Sequence, residues 1–568
     1  MKKQRIALFV ALTIATLSTP LANKSPLSHG RGVGGEAGVG GEALTIDVTA
    51  KGEPFKHHWS VGTCAGRANE GLRTSWVEQL RMVKEHCGFQ YLRMHGMFDD
   101  DMFVYFEDRK GNPIYNWQYL DEVYDRMLDI GIKPFVELSF FPKGIAADNG
   151  KVQMWYQNRI TYDPARLPKW KALVEAFTRH VVERYGLDEV RQWYFEVWNE
   201  PNLNFGQKAG FFEGTRSDYF QLYKASVEAI KSVDAQLRVG GPATSNFIAD
   251  HRHDGEVLDN SKSVFYDQEH INLQQWKAVW MKEFLDFCAK NDLPVDFISC
   301  HAYPTDYALD PVSGKGKDAV RYVHSLHDDL TYLRECLAKS KYPNAEIHIT
   351  EWSTSPSSRD RMHDLLPPAA YIIKGNLDNI GMANSVMYWT FTDIFEEKGG
   401  GESIFHGGFG MINFQGIVKP SFHAYRMLNQ LGDELLFLAP RGAITRHSQT
   451  GKITALAYNY PQEFEQRVPS SADAKTFMQA SDKTLDLTLT GLKPGSQFLI
   501  ETLDYEHGNA YNEWQAIGAP HSPTRQQTAW LRERAWQTKK DILTASDEGT
   551  LTIKQILSPW TCVLIQQL

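Results

Sequence analysis

The sequence predicts an α/β chain in which a (β/α)8 barrel carries an accessory antiparallel β-sandwich. From about residue 58 to residue 432, eight strand-like runs alternate with eight amphipathic stretches, the pattern of parallel strands joined by crossover helices. After residue 432 the period changes to two, between Gly and Pro turns, as in T-L-D-L-T-L-T-G-L-K-P-G-S and G-T-L-T-I-K-Q-I-L. The alternative, an open doubly wound sheet, calls for a Gly-rich phosphate turn after its first strand, and none is present.

The chain opens on an export pattern. Lys2, Lys3 and Arg5 precede an apolar run over residues 6–17, followed by small and polar residues, so 1–22 reads as a signal peptide. That run is too short to span a bilayer comfortably, and the expected product is periplasmic or secreted, with no membrane insertion after cleavage. Residues 23–43 read as a Gly-rich linker, in which G-V-G-G-E-A occurs twice. Residues 44–57 alternate as a short strand (Leu44, Ile46, Val48) expected to join the sandwich.

Barrel strands are expected at 58–62, 90–95, 133–139, 193–199, 237–241, 295–301, 346–351 and 385–391. Helices are expected at 70–87, 117–130, 167–185, 217–233, 273–290, 325–339, 364–380 and 419–431, and residues 433–568 form the sandwich. The stretch 246–272 is expected to cap the barrel mouth and favour action at chain ends.

Composition narrows the function. A net charge of −9 gives no electrostatic footprint for nucleic acid. The six cysteines are scattered without a C-x-x-C, so they read as buried thiols, and no metal or cofactor is expected. Aromatic residues at 12% suit sugar stacking and a large core equally.

The chemistry centres on W-Y-F-E-V-W-N-E-P. This run starts as a strand and stops at Pro201, leaving Glu200 at its end beside Asn199. A carboxylate taken out of water raises its pKa or finds a partner. Alone, Asn-Glu-Pro reads equally well as a turn closing a core strand. The second carboxylate decides: E-I-H-I-T-E-W ends on Glu351, in the seventh strand where Glu200 ends the fourth. Catalytic groups of such barrels sit where strands end, so both carboxylates reach one mouth. Glycosidic cleavage needs such a pair, one protonated and one ionised.

Other groups reach the same rim. Arg93 and His95 end the second strand, and Arg93 can hold a carboxylate ionised through its fork of donors. His301 and Tyr303 end the sixth, and Trp389 ends the eighth before Glu396 and Glu397. His348 lies mid-strand and reads as a core histidine, and Asp393 as a loop cap.

The motifs W-Y-F-E-V-W-N-E-P-N-L, H-I-T-E-W-S-T-S, and W-T-F-T-D-I-F-E-E followed by F-H-G-G-F-G resemble glycoside hydrolase family 39. The resemblance runs from about Trp59 through Leu431 and continues in H-G-N-A-Y-N-E-W at 507–514. It implies a retaining enzyme of the kind that includes β-xylosidases and α-L-iduronidases. Glu200 is then the acid/base, Glu351 the nucleophile and Asn199 the partner of the sugar 2-hydroxyl. His95, His301, Tyr303, Trp389 and Glu397 line the pocket. Where family xylosidases carry a Tyr soon after the nucleophile motif, this chain has Pro356-Ser357-Ser358.

Charge selects among sugars. Glu397 would repel a uronic acid, which favours β-xylosides and xylo-oligosaccharides, with α-L-arabinosidase side activity. Lys143 and Lys398 keep an α-L-iduronide open. A non-catalytic sugar-binding protein would not need both Glu200 and Glu351.

Overall fold

The structure, a computed structural model, describes residues 43–147, 159–203, 210–245, 278–309, 316–397 and 399–568. The signal peptide, nearly all of the linker, the 246–272 stretch and Lys398 therefore lie outside the described residues.

Eight parallel strands close a barrel: β1 (Gly62–Arg67), β2 (Tyr91–His95), β3 (Lys133–Leu138), β4 (Tyr194–Val197), β5 (Arg238–Thr244), β6 (Phe297–His301), β7 (Glu346–Trp352) and β8 (Ser385–Tyr388). Each strand pairs with its successor, and β8 returns to β1 through Tyr388 and Thr63. Among the described residues the longer helices around the barrel are α1 (Thr74–Cys87), α2 (Gln118–Ile130), α3 (Leu167–Tyr185), α4 (Arg216–Val233), α5 (Met281–Lys290), α6 (Ser325–Ala338), α7 (Pro367–Leu377) and α8 (Pro420–Asn429). No described helix is long and apolar enough to cross a membrane.

The first strand corrects the sequence reading. His58–Ser60 is a single 3-10 turn, and the strand is the G-T-C-A-G-R run after it. Its small residues hide it from strand propensity, yet the barrel needs them. A Cβ on Gly62 would lie 2.4 Å from Met387 Cε, and one on Gly66 would lie 2.1 Å from the Phe395 ring.

The accessory region contains two sheets. One has seven strands, ordered Glu53–Pro54, Glu434–Ala439, Gly442–Arg446, Ile453–Tyr458, Cys562–Gln567, Gln497–Leu503 and Lys539–Thr544. The other has three, and here Leu44–Asp47 pairs in parallel with Lys483–Thr490, so this sheet is mixed rather than antiparallel throughout. Leu487, Leu489 and Ile553 from one sheet meet Phe498, Ile500 and Val563 from the other.

Two helices that the sequence reading missed, Ala510–Ala516 and Arg525–Ala535, follow the strand Gln497–Leu503. Trp514 from the first packs on Phe405, 5.3 Å between ring centroids. Arg426 on α8 donates to Glu501 at 2.7 Å, so the sheets are fastened to the barrel through buried contacts.

Candidate active site

Inside the barrel mouth, residues at alternate strand positions face one another. Arg93 and His95 on β2, Glu137 on β3, Glu196 on β4, His301 on β6 and Glu351 on β7 are all buried. Asn199 and Glu200 follow β4 where the chain leaves the sheet, with φ of +73° at Trp198 and +43° at Glu200. There the Glu200 amide donates to Ala243 O at 2.9 Å, which fixes the turn against the end of β5.

Glu351 reaches this space through a bulge. Thr350 Oγ1 donates to Glu196 Oε1 at 2.8 Å, and the next residue, Glu351, accepts from Arg93. Two consecutive side chains therefore enter the same volume, which regular alternation forbids. The register shifts between Ile349 and Trp352 against β8, and between Cys300 and His301 against β7, which absorbs the extra residue.

Arg93 organises the carboxylates. Its Nη1 lies 2.8 Å from Glu351 Oε1, its Nε 2.6 Å from Glu196 Oε2, and its Nη2 2.8 Å from Glu137 Oε2 and 2.9 Å from Asn199 Oδ1. Nη2 also approaches His301 Nε2 at 3.4 Å. A guanidinium only donates, so this contact assigns the His301 proton to Nδ1, which donates to Glu200 Oε1 at 2.8 Å. Tyr303 donates to Glu351 Oε2 at 3.0 Å. The carboxylates are close: one oxygen of Glu200, one of Glu351 and a nitrogen of His301 all lie within 4.8 Å of one another.

The two carboxyls have different surroundings. Burial pushes Glu200 up to about 7, against the opposing pull of Ser245, His95 and Arg93. Burial also raises Glu351, opposed by His301 and Arg93, and it alone of the two touches the guanidinium. Burial holds His95 and His301 down to about 4, so both rings are neutral near pH 7.

The model of glycosyl hydrolases family 39 matches residues 43–552. The chain belongs to this family. It is 35% identical over 506 residues to a β-xylosidase of Caldicellulosiruptor saccharolyticus, covering 88% of this chain and 92% of that one. It is 32% identical over 535 residues to a β-xylosidase of Geobacillus stearothermophilus, covering 92% and 95%. A monomeric β-xylosidase from Caulobacter crescentus superposes with a TM-score of 0.78 at 29% identity, covering 92% of this chain and 99% of that one. The protein is thus a glycoside hydrolase, and its barrel with appended sheets is the architecture of family 39.

In this family 39 enzyme, Trp389 walls the mouth, its ring 4.6 Å from His95 and 5.6 Å from Phe395. Phe409 backs it at 6.2 Å. Glu397 is half-buried on the loop after β8, while its neighbour Glu396 is spent on Arg73. Asp393 has a structural role: it accepts from the Gly410 amide and, together with Asp364, flanks the buried Lys419 ammonium, 2.7 Å from each. His348 is a satisfied core histidine between Ser385 and Glu346.

Glu137 and Glu196 went unnoticed in the sequence. Glu137 accepts from His95 Nδ1 at 2.7 Å and from Ser139, and burial pushes it up to about 7. The available signal was a lone charge inside each apolar run, F-V-E-L and Y-F-E-V, at the parity that faces Arg93. Glu200, His301 and Glu351 offer three donor atoms in one cluster, but the Arg93 cation bound to Glu351 opposes a metal ion there.

Proposed function

We propose that this enzyme is a retaining, exo-acting β-D-xylosidase, with Glu351 as nucleophile and Glu200 as general acid and base. The observation that carries the reading is the pair itself. Nearest carboxyl oxygens within 4.8 Å fit the short separation of retaining enzymes better than the wider gap of inverting ones. Glu351 attacks the anomeric carbon while Glu200 gives its proton to the leaving oxygen. Glu200 then deprotonates a water that releases the glycosyl-enzyme.

The electrostatics assign the roles. Glu200, pushed up to about 7, holds a proton at the pH where Glu351, in contact with Arg93 and Tyr303, serves as the anion. Asn199 is held by Arg93 through Oδ1, and its buried Nδ2 has no partner among the described residues, a donor available for the sugar 2-hydroxyl. His95, His301 and Trp389 enclose the same sugar, with Glu397 at its edge.

A neutral pentoside suits the mouth better than an iduronide. Among the described residues at the mouth Arg93 is the cation, and its Nε, Nη1 and Nη2 are all engaged by protein acceptors. The β-xylosidase relatives support the same glycone; we add α-L-arabinosides as a secondary substrate because arabinose and xylose differ mainly in the orientation of one hydroxyl. We place the enzyme outside the cytoplasm, on the signal pattern at its N-terminus.

The test is turnover of p-nitrophenyl β-D-xylopyranoside against the α-L-iduronide and the α-L-arabinopyranoside. Xyloside turnover should fall in Glu200→Ala and Glu351→Ala, with azide returning β-azide product in the first and α-azide in the second. Iduronide turnover above xyloside turnover would sink the glycone assignment.

A further inference from the structure

Lys143, which the sequence left open for an acidic sugar, does not contact the catalytic carboxylates. It lies past them on the loop after β3, where the chain runs from Ser139 through Phe140 and Phe141 to Lys143. There it lines a groove of about 620 Å³ between the loops that follow β2 and β3. Arg159 joins the same wall, its carbonyl accepting from the Phe141 amide at 3.1 Å.

The groove is cationic in an anionic protein. Lys143, Arg159, Arg166 and Lys169 line it against Asp100 and Glu107, with Asp163 beside it 3.3 Å from Arg166 Nε, an excess of one positive charge (four minus three) in a chain of net charge −9. Both lining acids are occupied: Asp100 by Arg159 at 3.0 Å, Glu107 by Lys169 at 2.8 Å and by Tyr105 at 2.7 Å. Lys143 is exposed, its amide donates to Asp100 Oδ1 at 2.8 Å, and its ammonium forms no ion pair among the described residues. Local charge is therefore left for an anion that the protein does not supply.

Beside these cations stands an aromatic surface. Phe106, also lining the groove, is 42% exposed and stacks on Phe103, which is 43% exposed, at 6.2 Å between ring centroids. Both belong to the excursion after β2, on the same barrel face as Glu200 and Glu351. Such rings in water are an uncommon expense without a partner. A flat aromatic face next to an unspent ammonium suits a sugar ring that carries a carboxylate.

We propose that this groove is a second carbohydrate site, which takes a uronic acid branch of a xylo-oligosaccharide. Lys143 is the counter-ion of the branch carboxylate, and Phe106 lies under the sugar ring. The xylose part of this ligand rests on the proposed function; the carboxylate and the ring rest on the groove alone.

Calorimetry on the full-length Glu200→Gln/Glu351→Gln enzyme tests it with two probes, a xylotriose bearing one glucuronic acid and neutral xylotriose. The acidic probe should bind at least fivefold tighter. That advantage should disappear in Lys143→Glu and in 0.5 M NaCl, and shrink in Phe106→Ala, while neutral xylotriose binds all forms alike. Equal affinity for both probes, or an acidic preference that survives Lys143→Glu, would overturn the proposal. Full competition by millimolar inorganic phosphate would also overturn it, as the mark of an unspecific anion patch. Chromogenic xyloside turnover by the otherwise unmodified enzyme reads the proposed function separately. If that turnover is absent and sodium glucuronate still binds in a Lys143-dependent way, the function reading fails and the groove stands.

Discussion

Arg93 Nη1 and Glu351 Oε1 stand 2.8 Å apart, both side chains buried at the centre of the barrel mouth. The same guanidinium also meets Glu137 and Glu196, so one cation serves three carboxyls. Removing one member of a buried ionic group leaves the rest unpaired, at about 3–5 kcal/mol. Arg93→Met should therefore lower unfolding free energy by about that amount and abolish turnover. Arg93→Lys keeps the charge without the fork. It should recover part of the stability in urea melts, yet leave kcat at least about tenfold low, because a point charge cannot hold Glu351, Glu196 and Asn199 together.

The raised Glu200 carboxyl has a kinetic and a thermodynamic consequence. With protonated Glu200 in its proposed role as the acid, kcat/KM for the xyloside should fall as pH rises through about 7. Glu200→Gln should lose that limb when assayed on an aryl xyloside whose leaving group needs no proton. In the folded protein Glu200 holds its proton to higher pH than in the unfolded chain, so its contribution to stability falls between about pH 4.5 and 7. The fall amounts to about 3 kcal/mol and is absent from Glu200→Gln. Urea melts at pH 5 and pH 8 should show the variant gaining on the wild type at the higher pH. An unchanged difference would refute the elevated pKa.

Tyr303 steadies the opposite limb. Its hydroxyl donates to Glu351 Oε2 at 3.0 Å and favours the ionised form of this carboxyl, the one proposed as nucleophile. Tyr303→Phe removes the donor and keeps the ring. The acid limb of the kcat profile should move upward by about one pH unit, with the basic limb in place. A uniform loss of rate with both limbs fixed would mean that Tyr303 acts on the sugar and not on Glu351.

Much of this was legible in the sequence because the barrel is written in alternation. Strand ends carry polar residues, so Glu200, His95 and His301 could be assigned to one rim from their positions alone. Glu351 owes its place to more than its position at a strand end. Ile347, Ile349 and Glu351 share a parity, and only the bulge at Thr350 turns the carboxylate inward. A bulge depends on the register of two neighbouring strands, which no local pattern records. Glu137 and Glu196 were hidden because their meaning lies in Arg93, two strands' width of chain away from a local motif. The β1 strand was displaced because its glycines and alanine answer to the closeness of Met387 and Phe395, not to strand propensity.

The loop that backs the pocket depends on a charge far from any sugar. Lys419 opens α8, fully buried, with Asp364 and Asp393 each 2.7 Å from its ammonium and Gly408 O at 2.9 Å. The same two aspartates accept from the Gly407 and Gly410 amides, both at 2.6 Å, so the cluster pins the turn that carries Phe409 behind Trp389. Lys419→Met should cost about 3–5 kcal/mol, because two carboxyls lose their common counter-ion. Adding Asp364→Asn should return part of that stability, since an amide needs no counter-ion and still accepts from Gly407. Activity should report the loosened wall: KM for the xyloside rises more than kcat falls, with the pH limbs of Glu200 and Glu351 unmoved. A shift of either limb would instead place Lys419 in electrostatic contact with the carboxylates, and a KM equal to that of the wild type would show that Phe409 does not hold Trp389 in place.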